Sequence, residues 1–417
     1  MPTREYYLNA DFDASLRGKP TLLETRDSTY VHEMAWHYLF AAGGEDSLIL
    51  HTPLPGDFLA YIAEKGLALP SLIRHPDFSP DAEFLPFGWN AHAIALAGRY
   101  RATSPHPGPD AVRVANSRAF SLALEREWAG ESAEPAGGAD PRSLPEYGTL
   151  VDTLDGLDGF LRAHADAGGW VAKGDHGHAG IANRRLPPGP LSQEDREAAG
   201  RLLEDHGRLV VEPWHERLLD MSVGFHVDRQ GAVAGFRGHE LLNSRDGAFL
   251  GVKIALDRHP PEPWRPALAA SAERLARALH AVGYFGPVSA DAYVYRTTEG
   301  PRLRPLVDLN ARQSMAQPAH GLALRLPGRI LLWMWAKPRK LKLPDDYRAL
   351  DEKLGECAFQ SRTGTGVLAV SPMRREPGRR SVSEGLRPGR ISFAFIAADE
   401  NELAHLQSGF SRALGRN

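Results

Sequence analysis

The sequence predicts a multi-domain protein of the α/β and α+β classes, and three features of the chain support that prediction. Near the N-terminus a buried strand is followed directly by an amphipathic helix, the order typical of an open α/β sheet. Between about residues 170 and 312, strand-like segments follow one another with helices grouped between them, which favours α+β layers. After about residue 345 two further strands and a helix indicate a small additional α/β unit.

The composition is that of an ordinary globular protein. The 417 residues include 49 Lys and Arg against 52 Asp and Glu, for a net charge of −3, which disfavours broad binding to nucleic acids or anionic membranes. A single cysteine, Cys357, excludes an intramolecular disulfide framework and a cysteine-based zinc site. Because the chain has neither an apolar run of about 20 residues nor the apolar core of a secretory signal, we expect a cytoplasmic protein.

The first segment is predicted to form a small open α/β domain. Residues 47–53 (SLILHTP) are expected to form a buried strand between two glycine- or proline-containing breaks. Residues 57–66 follow as an amphipathic helix that Gly66 can end. The segment at 104–110 (SPHPGPD) is rich in proline and glycine and is interpreted as a connector.

The middle of the chain is strand-dense. A surface loop is expected at 131–148, and helices are expected at 191–205 and 262–282. Strands are predicted in the segments GWVAK, RLVVEPW, DMSVGFHVD, AVAGFRG, PVSADAYVY and RLRPLVDLN. Beyond them, the basic segment 374–380 is interpreted as surface, and ISFAFIAA as a strand that precedes a short helix.

A hairpin near residue 300 is a candidate metal site. The midpoint of Asp291 and Asp308 falls inside the polar turn TTEG, so a hairpin closing there places the two carboxylates opposite, or nearly opposite, each other. Asp308 and Asn310 project from one face of their strand, and Arg312 continues that spacing. Two carboxylates and an amide oxygen suit Mg²⁺ that carries substrate phosphates. The alternative is a strand end that bears solvated acids.

A glycine-rich segment after Lys173 is a candidate phosphate-binding loop. The predicted strand ending in Lys173 runs into 174–180 (GDHGHAG), whose glycines allow backbone N–H groups to approach a polyphosphate. A glycine-rich hairpin turn is the alternative. A zinc site at His176 and His178 is disfavoured, because no cysteine lies nearby and no third ligand follows in sequence.

A third candidate site lies where a buried strand ends in Glu212-Pro213-Trp214. Pro213 cannot donate to a ladder, so the sheet pairing is expected to stop there and leave backbone groups free for an adenine edge. Trp214 offers an apolar wall, and Asp220 could accept a hydrogen bond from a ribose hydroxyl. An inter-domain connector with a core tryptophan is the alternative.

In this order and spacing the three motifs resemble the ATP-grasp superfamily. The resemblance covers about residues 112–320, and residues 1–111 match more weakly the sheet domain that usually precedes the ATP-grasp fold. The resemblance implies three domains, which are a pre-ATP-grasp α/β domain (1–111), an ATP-grasp domain (112–345, with a small lobe about 112–212 and a large lobe about 213–345) and a C-terminal α/β appendage (346–417).

The resemblance also implies roles for single residues. The segment 112–120 (VRVANSRAF) matches the family's strand–Asn–Ser–basic–helix start, with Arg118 in place of the commoner lysine that contacts nucleotide phosphate. The residues that match the nucleotide site are Lys173, Gly177 and His178 near the phosphates, Glu212, Pro213 and Trp214 at the adenine, and Asp220 at the ribose. The matches to the magnesium ligands are Asp291, Asp308 and Asn310, although the family pattern is often Glu-x-Asn. Arg312 matches an arginine that faces the transferred phosphate.

The activity that the resemblance implies is an ATP-dependent carboxylate–amine ligase. It would join an amino acid or peptide carboxylate to an amine through an acyl phosphate, with ATP and two Mg²⁺ ions as cofactors and with Lys173 and Arg312 as catalytic residues. An ATP-grasp kinase for small molecules and a non-catalytic nucleotide-binding regulatory protein are the alternatives.

The acceptor site is less well defined by the sequence. The cationic residues of the strand pair at 232–254 either bind a substrate carboxylate or lie on the solvated edge of a sheet, and they are Arg237, His239, Arg245 and Lys253. Small molecules or peptides are the expected partners, without nucleic acid or membrane. The C-terminal segment either packs on the core or forms a homodimer contact.

Overall fold

The computed structural model describes nine stretches of the chain. They comprise residues 3–18, 33–73, 81–99, 105–130, 147–165, 168–177, 183–244, 247–374 and 388–415. Most of the predicted surface loop at 131–148, most of the predicted basic segment at 374–380 and the first residue of the predicted connector at 104–110 lie outside the described residues.

The N-terminal part of the chain forms a parallel four-stranded sheet with the order β3-β2-β1-β4. Its strands are β1 (Arg4–Tyr7), β2 (Ser47–Ile49), β3 (Ser71–Ile73) and β4 (Glu83–Pro86). Its helices are α1 (Phe12–Ser15), α2 (Gly56–Glu64) and α3 (Ala91–Arg99), with a 3-10 turn at Ala35–Tyr38. Strand β2 followed by α2 confirms the predicted strand–helix order, and α2 buries the apolar face that carries Phe58 and Ile62.

The segment 112–120 begins in a helix, so the strand expected at its start is wrong. Helices α4 (Pro109–Ala115) and α5 (Arg118–Trp128) are separated only by Asn116 and Ser117. Pro109 suits the first turn of a helix, because the N–H that it lacks would have no partner there. The short run VRVA alternates like a strand, but its buried residues Val112 and Ala115 are three apart and share a helix face.

Residues 149–213, called the small lobe below, contain a second sheet, which is antiparallel and has the order β5-β8-β6-β7. Its strands are β5 (Thr149–Val151), β6 (Trp170–Gly174), β7 (Asn183–Leu186) and β8 (Leu209–Pro213). It is accompanied by α6 (Leu154–Ala163) and α7 (Gln193–His206). Helix α7 begins at the capping hydroxyl of Ser192 and ends at Gly207, whose φ of 74° is left-handed. This lobe has its own apolar core around Trp170.

The largest sheet has eight strands in the order β13-β12-β9-β10-β11-β14-β16-β15, and all neighbouring strands are antiparallel. Its strands are β9 (Arg217–Val227), β10 (Val233–Asn243), β11 (Phe249–Ile254), β12 (Gly286–Thr297), β13 (Gly300–Asn310), β14 (Ile330–Ala336), β15 (Gly366–Ala369) and β16 (Ile391–Ala397). Its helices are α8 (Arg265–Ala281), α9 (Gln317–Arg325), α10 (Tyr347–Leu354) and α11 (Glu400–Leu414).

The C-terminal segment is more closely integrated than the appendage predicted for 346–417. Strand β16 pairs with β14 over seven residues, and β15 pairs with β16, so the large sheet continues past residue 345. Every residue of β16 is buried, and Phe393 and Phe395 pack against Phe410 of α11. Because β16 lies between β14 and β15 and both of its faces are covered, the C-terminal segment is part of the large sheet and its core. No helix in the described part of the chain has the length and apolarity needed to span a bilayer.

Candidate functional site

A cleft lies between the small lobe and the large sheet. Lys173 and Asn183 line it from β6 and β7, and the facing wall is built by β9, β10, β12 and β13. The predicted site residues that line the cleft are Lys173, Trp214, Asp220, His239, Asp291, Asp308, Asn310 and Arg312. The tertiary structure therefore brings together residues from all three motifs.

The predicted pairing of Asp291 with Asp308 is confirmed, although a register shift between Asp291 and Tyr293 separates it from the turn at 298–299. Asp291 of β12 and Asp308 of β13 are direct cross-strand partners, and Ser289 pairs with Asn310. Both Asp308 and Asn310 line the cleft, as their spacing of two predicts. Arg312 follows the end of the strand and lines the same cleft.

The two carboxylates have opposite electrostatic environments. Burial and the neighbouring Asp308 raise the pKa of Asp291 to about 7. Burial on its own would raise the pKa of Asp308, but Arg118 lowers it below the ordinary value. Arg118 binds Asp308 through both oxygens, at 3.1 Å from Nε to Oδ1 and 3.0 Å from Nη2 to Oδ2. Asp308 is therefore the member of the pair that stays ionised.

The donor set of the hairpin suits a hard cation that arrives with phosphates. Carboxylate and amide oxygens of Asp291, Asp308 and Asn310 are ligands that Mg²⁺ accepts, and Mg²⁺ usually completes its shell with water and substrate phosphate. Asn310 Oδ1 accepts a hydrogen bond from Arg312 Nη2 at 2.8 Å, as Asp308 accepts one from Arg118. Two of the three candidate metal ligands therefore contact guanidinium groups. Among the described residues, no group of three or more His, Cys, Asp and Glu forms a metal cluster by itself.

Lys173 lies at the end of β6 and is 4% exposed. Its Nζ is 2.9 Å from Glu212 Oε2 and 3.4 Å from the carbonyl oxygen of Val307. Burial lowers the pKa of Lys173, and Glu212 and Asp308 oppose that effect. Burial alone would raise the pKa of Glu212, but Arg304 and Lys173 lower it. Glu212 is thus an ionised partner of Lys173 and does not itself line the cleft.

Arg118 is held in place by the start of α5. Its backbone N–H donates to Asp175 O at 3.0 Å, and the side chain of Asp175 accepts from Ser117 Oγ and from the N–H of Ala119. These contacts satisfy the first turn of the helix, whose N–H groups have no partner inside the helix.

The guanidinium of Arg118 joins the glycine-rich segment to the hairpin. Nη1 donates to Gly174 O at 2.6 Å and Nη2 donates to Gly177 O at 3.3 Å, in addition to the contacts with Asp308. These contacts use four of the five N–H groups of the guanidinium, so one N–H of Nη1 has no partner among the described residues. The predicted loop residue His178 lies outside the described residues.

Strand β8 ends at Pro213 as predicted, but the expectation that the backbone groups there are left free is wrong. Pro213 pairs in register with Trp170 of β6, and the N–H of Trp214 donates to Gly169 O at 2.9 Å. A proline can occupy a strand at a position where its missing N–H is not needed. The N–H of Trp214 is consequently not free for a nucleotide base, although its indole does line the cleft.

Two arginines that the sequence analysis did not identify lie at the indole. The guanidinium carbons of Arg185 and Arg217 are 4.9 and 5.4 Å from the Trp214 ring centre. Arg217 also donates to Asp220 Oδ1 at 3.0 Å, so the predicted ribose-binding acid has an arginine partner. Asn183 is the cross-strand partner of Lys173, and Arg185 lies two residues further along β7, on the same face of the sheet. Arg185 could therefore be identified only once the pairing of β6 with β7 was known.

Arg304 is a third arginine that the sequence analysis did not identify. It is 2% exposed and contacts Glu125 Oε1 and Oε2 at 2.8 and 2.6 Å and Glu212 Oε2 at 2.9 Å. Tyr147 O accepts a further hydrogen bond at 2.9 Å. Arg304 thereby connects α5, β8 and β13 beneath the cleft, and it contacts the carboxylate that binds Lys173.

The four cationic residues predicted for the acceptor site are not gathered in one place. His239 lines the cleft, and Arg237 on the same strand donates to Gln317 Oε1. Lys253 faces the opposite side of the sheet, because it pairs with Glu240, the neighbour of His239 in the chain. There Lys253 Nζ is 2.7 Å from Glu400 Oε1. Arg245 lies outside the described residues.

The whole chain resembles the solved structures of several enzymes. Phosphoribosylamine–glycine ligase from Thermotoga maritima matches with a TM-score of 0.56 at 11% identity, over 99% of this chain and 97% of that one. Biotin carboxylase from Campylobacter jejuni matches with a TM-score of 0.55 at 10% identity, over 99% and 91%. N5-carboxyaminoimidazole synthetase from Staphylococcus aureus, complexed with ADP, matches with a TM-score of 0.52 at 9% identity, over 98% and 97%.

No protein-family model matches the sequence, and no curated protein matches it. The three solved structures are ATP-grasp enzymes, and the coverage extends over nearly the full chain. The fold is therefore the ATP-grasp fold that the motifs predict, with a sheet domain in front of it.

Proposed function

We propose that this protein is an ATP-dependent ligase that joins the carboxylate of an amino acid or peptide to an amine through an acyl phosphate. The observation that supports this most strongly is the convergence of Lys173 from one lobe with Asp291, Asp308, Asn310 and Arg312 from the other on a single cleft. The named activities of the structural neighbours, a ligase, a carboxylase and a synthetase, agree with this class of reaction and do not specify the substrates.

The chemistry explains why such a cleft needs cations and hard oxygen ligands. A carboxylate is a poor electrophile, and phosphorylation by ATP provides it with a leaving group. Phosphoryl transfer depends on positioning and on neutralising the charge of the phosphate oxygens more than on covalent help from the protein. In this proposal Lys173 and Arg118 bind phosphate oxygens, and Arg312 binds the phosphoryl group as it migrates. Mg²⁺ held by the acidic hairpin supplies further charge neutralisation when bound.

The nucleotide base would bind at Trp214. Since the N–H of Trp214 donates to Gly169, we attribute base binding to side chains, with the indole as the apolar wall and with Val171 and Leu241 as further apolar residues that line the cleft. Asp220 would bind the ribose after exchanging its contact with Arg217.

Incubation of the full chain with Mg·ATP and a panel of amino acids, peptides and amines tests the proposal. Release of ADP is followed by a coupled assay, and products are identified by mass spectrometry, with Asp308→Ala as the matched inactive variant. We expect one ADP per amide formed with the native chain and none with the variant.

Other products separate the alternatives. A stable phosphoester would identify a kinase. Tight binding of Mg·ATP without turnover across the panel would favour a regulatory protein. Amide formation that persists in Asp308→Ala would contradict the assignment of the site.

A further inference from the structure

One histidine lies in the same cross-strand row as the acidic pair. Asp308 pairs with Asp291, Asp291 with Ser222, and Ser222 with His239, so the four residues stand side by side on β13, β12, β9 and β10. All four line the cleft. His239 is two strands from Asp291, a backbone separation of about 10 Å. It therefore faces the part of the cleft beyond the metal-binding acids, on the side away from Asp308.

His239 is held by a second buried histidine. Its Nδ1 is 3.1 Å from Nε2 of His320 on α9, and the two rings are nearly perpendicular at an interplanar angle of 74°. His239 and His320 are 3% and 2% exposed. Nδ1 of His320 has no hydrogen-bond partner among the described residues.

The backbone beside this pair is also fixed. A Cβ on Gly238 would lie 2.4 Å from Cδ of Pro260, so no side chain fits there and β10 packs directly against the proline. The imidazole of His239 thus stands on a strand with little freedom to shift.

The pairing determines which nitrogen of His239 carries the hydrogen. Burial and the charge of Arg237 lower the pKa of His239 to about 3, and burial lowers that of His320 well below its ordinary value, so both rings are neutral. If His239 donated from Nδ1, Nε2 of His320 would have to accept, and the single ring hydrogen of His320 would be on its Nδ1. That N–H would be a buried donor without a partner among the described residues. If His320 donates from Nε2, its Nδ1 is only an unused acceptor. Buried N–H groups without partners are rarer and more costly than acceptors that lack one, so the second arrangement is favoured.

We propose that His239 donates a hydrogen bond from Nε2 to the carbonyl oxygen of the acyl phosphate, and that His320 is the residue that positions it. This inference rests on the proposed ligase function. As the amine nitrogen adds its lone pair to the acyl carbon, the π pair of the carbonyl moves onto oxygen, where the imidazole N–H stabilises the new charge. The electron pair on oxygen then re-forms the carbonyl double bond, and the bond between the acyl carbon and the phosphate oxygen breaks. The departing phosphate takes the proton from the amine nitrogen. His239 neither gains nor loses a proton.

The first test measures the tautomer in the full native chain. With ¹⁵N-labelled histidine, NMR identifies the protonated nitrogen of each ring, and the signals of His239 are assigned by their loss in His239→Gln. We expect a hydrogen on Nε2 of both His239 and His320. A hydrogen on Nδ1 of His239, or a charged ring at neutral pH, overturns the inference without reference to any activity.

The second test uses acetylphosphonate, a stable mimic of an acyl phosphate, in the presence of Mg·ADP. We expect it to shift the Nε2 signal of His239 and to leave that of the exposed His226 unchanged. His239→Ala should weaken acetylphosphonate binding about tenfold while Mg·ADP binds as in the native chain, and His239→Gln, which keeps an N–H donor, should recover part of the loss. His226→Gln is the matched control. No shift at His239 overturns the inference, whereas failure of the native chain to bind Mg·ADP overturns the proposed function itself.

The third test examines His320 as a positioning residue. His320→Phe removes the partner of Nδ1, so we expect His239 to populate both tautomers and acetylphosphonate binding to weaken. A single Nε2–H tautomer that survives in His320→Phe, with unchanged binding, contradicts the role assigned to His320.

Discussion

Lys173 and Glu212 form an ion pair 2.9 Å long in which each residue is only 4% exposed. A buried charge is stable only when it is paired, so this contact ties the ionisation of the lysine to one carboxylate. Glu212 is bound in turn by Arg304, which lies outside the cleft lining. The cation that faces the cleft is thus part of a buried network that continues beneath it.

Replacing Glu212 with Gln should weaken both stability and nucleotide binding. The change leaves Lys173 and Arg304 without their shared carboxylate, and breaking a buried pair typically costs about 3–5 kcal/mol. Since burial already lowers the pKa of Lys173, loss of Glu212 should lower it further and reduce the fraction of charged lysine that can bind phosphate. Denaturant unfolding and titration with Mg·ADP measure the two effects.

Glu216→Gln is the control for that variant. Glu216 pairs with Arg296 at 3.0 Å, but the side chains are 66% and 60% exposed, so the expected change in unfolding free energy is below about 1 kcal/mol. Equal effects of the two substitutions would contradict the role assigned to the buried pair.

Replacing Arg304 with Leu should destabilise the fold by about 3–5 kcal/mol, because Glu125 would lose its ion-pair partner while buried and Glu212 would keep only Lys173. The double variant Arg304→Leu/Glu125→Leu removes one of those acids and should recover part of the loss. Urea unfolding of the native chain, the single variants Arg304→Leu and Glu125→Leu and the double variant gives the comparison. Additive losses in the double variant would show that the contact between Arg304 and Glu125 is not coupled.

Asp308→Ala or Asn310→Ala should abolish Mg·ATP turnover while the fold remains intact. Losing one charge-stabilising contact of this kind typically lowers the rate about 10²–10³-fold, and the alanine variants also lose a ligand oxygen. ADP release at increasing Mg²⁺ measures the effect, with circular dichroism as the check on folding. Glu299→Gln at the exposed tip of the same hairpin is the control. Near-normal turnover in Asp308→Ala would refute the metal assignment.

Trp214→Ala should weaken nucleotide binding more than it slows the chemical step. The indole lines the cleft and is contacted by Arg185 and Arg217, so its loss removes an apolar wall without touching the acidic hairpin. An aromatic contact of this kind contributes about 0.5–1.5 kcal/mol beyond area burial, which corresponds to a rise in the Kd for ADP of up to about tenfold. An ADP affinity equal to that of the native chain would remove the claim of a base pocket.

Local regularities were sufficient to predict several features correctly. The pairing of Asp291 with Asp308 was predicted from the polar turn at their midpoint, but the structure reaches it through a register shift between Asp291 and Tyr293, which the turn alone does not give. The shared face of Asp308 and Asn310 follows from the period of two along a strand. Where a short run fits both periods, as VRVA does, sequence pattern alone led to a strand in place of α4.

The sequence by itself determined the motifs, the hairpin that presents the acids and the kind of fold to expect. Only the tertiary structure decided that Arg118 binds Asp308, that Lys253 faces away from the cleft and that His320 pairs with His239. The physical reason is that each of these contacts joins residues far apart in the chain. Arg118 and Asp308 are 190 positions apart, Lys253 and its partner Glu400 are 147 apart, and His239 and His320 are 81 apart. Which partners such side chains meet depends on how strands distant in sequence are ordered and registered in the sheet, and local pattern contains no information about that order.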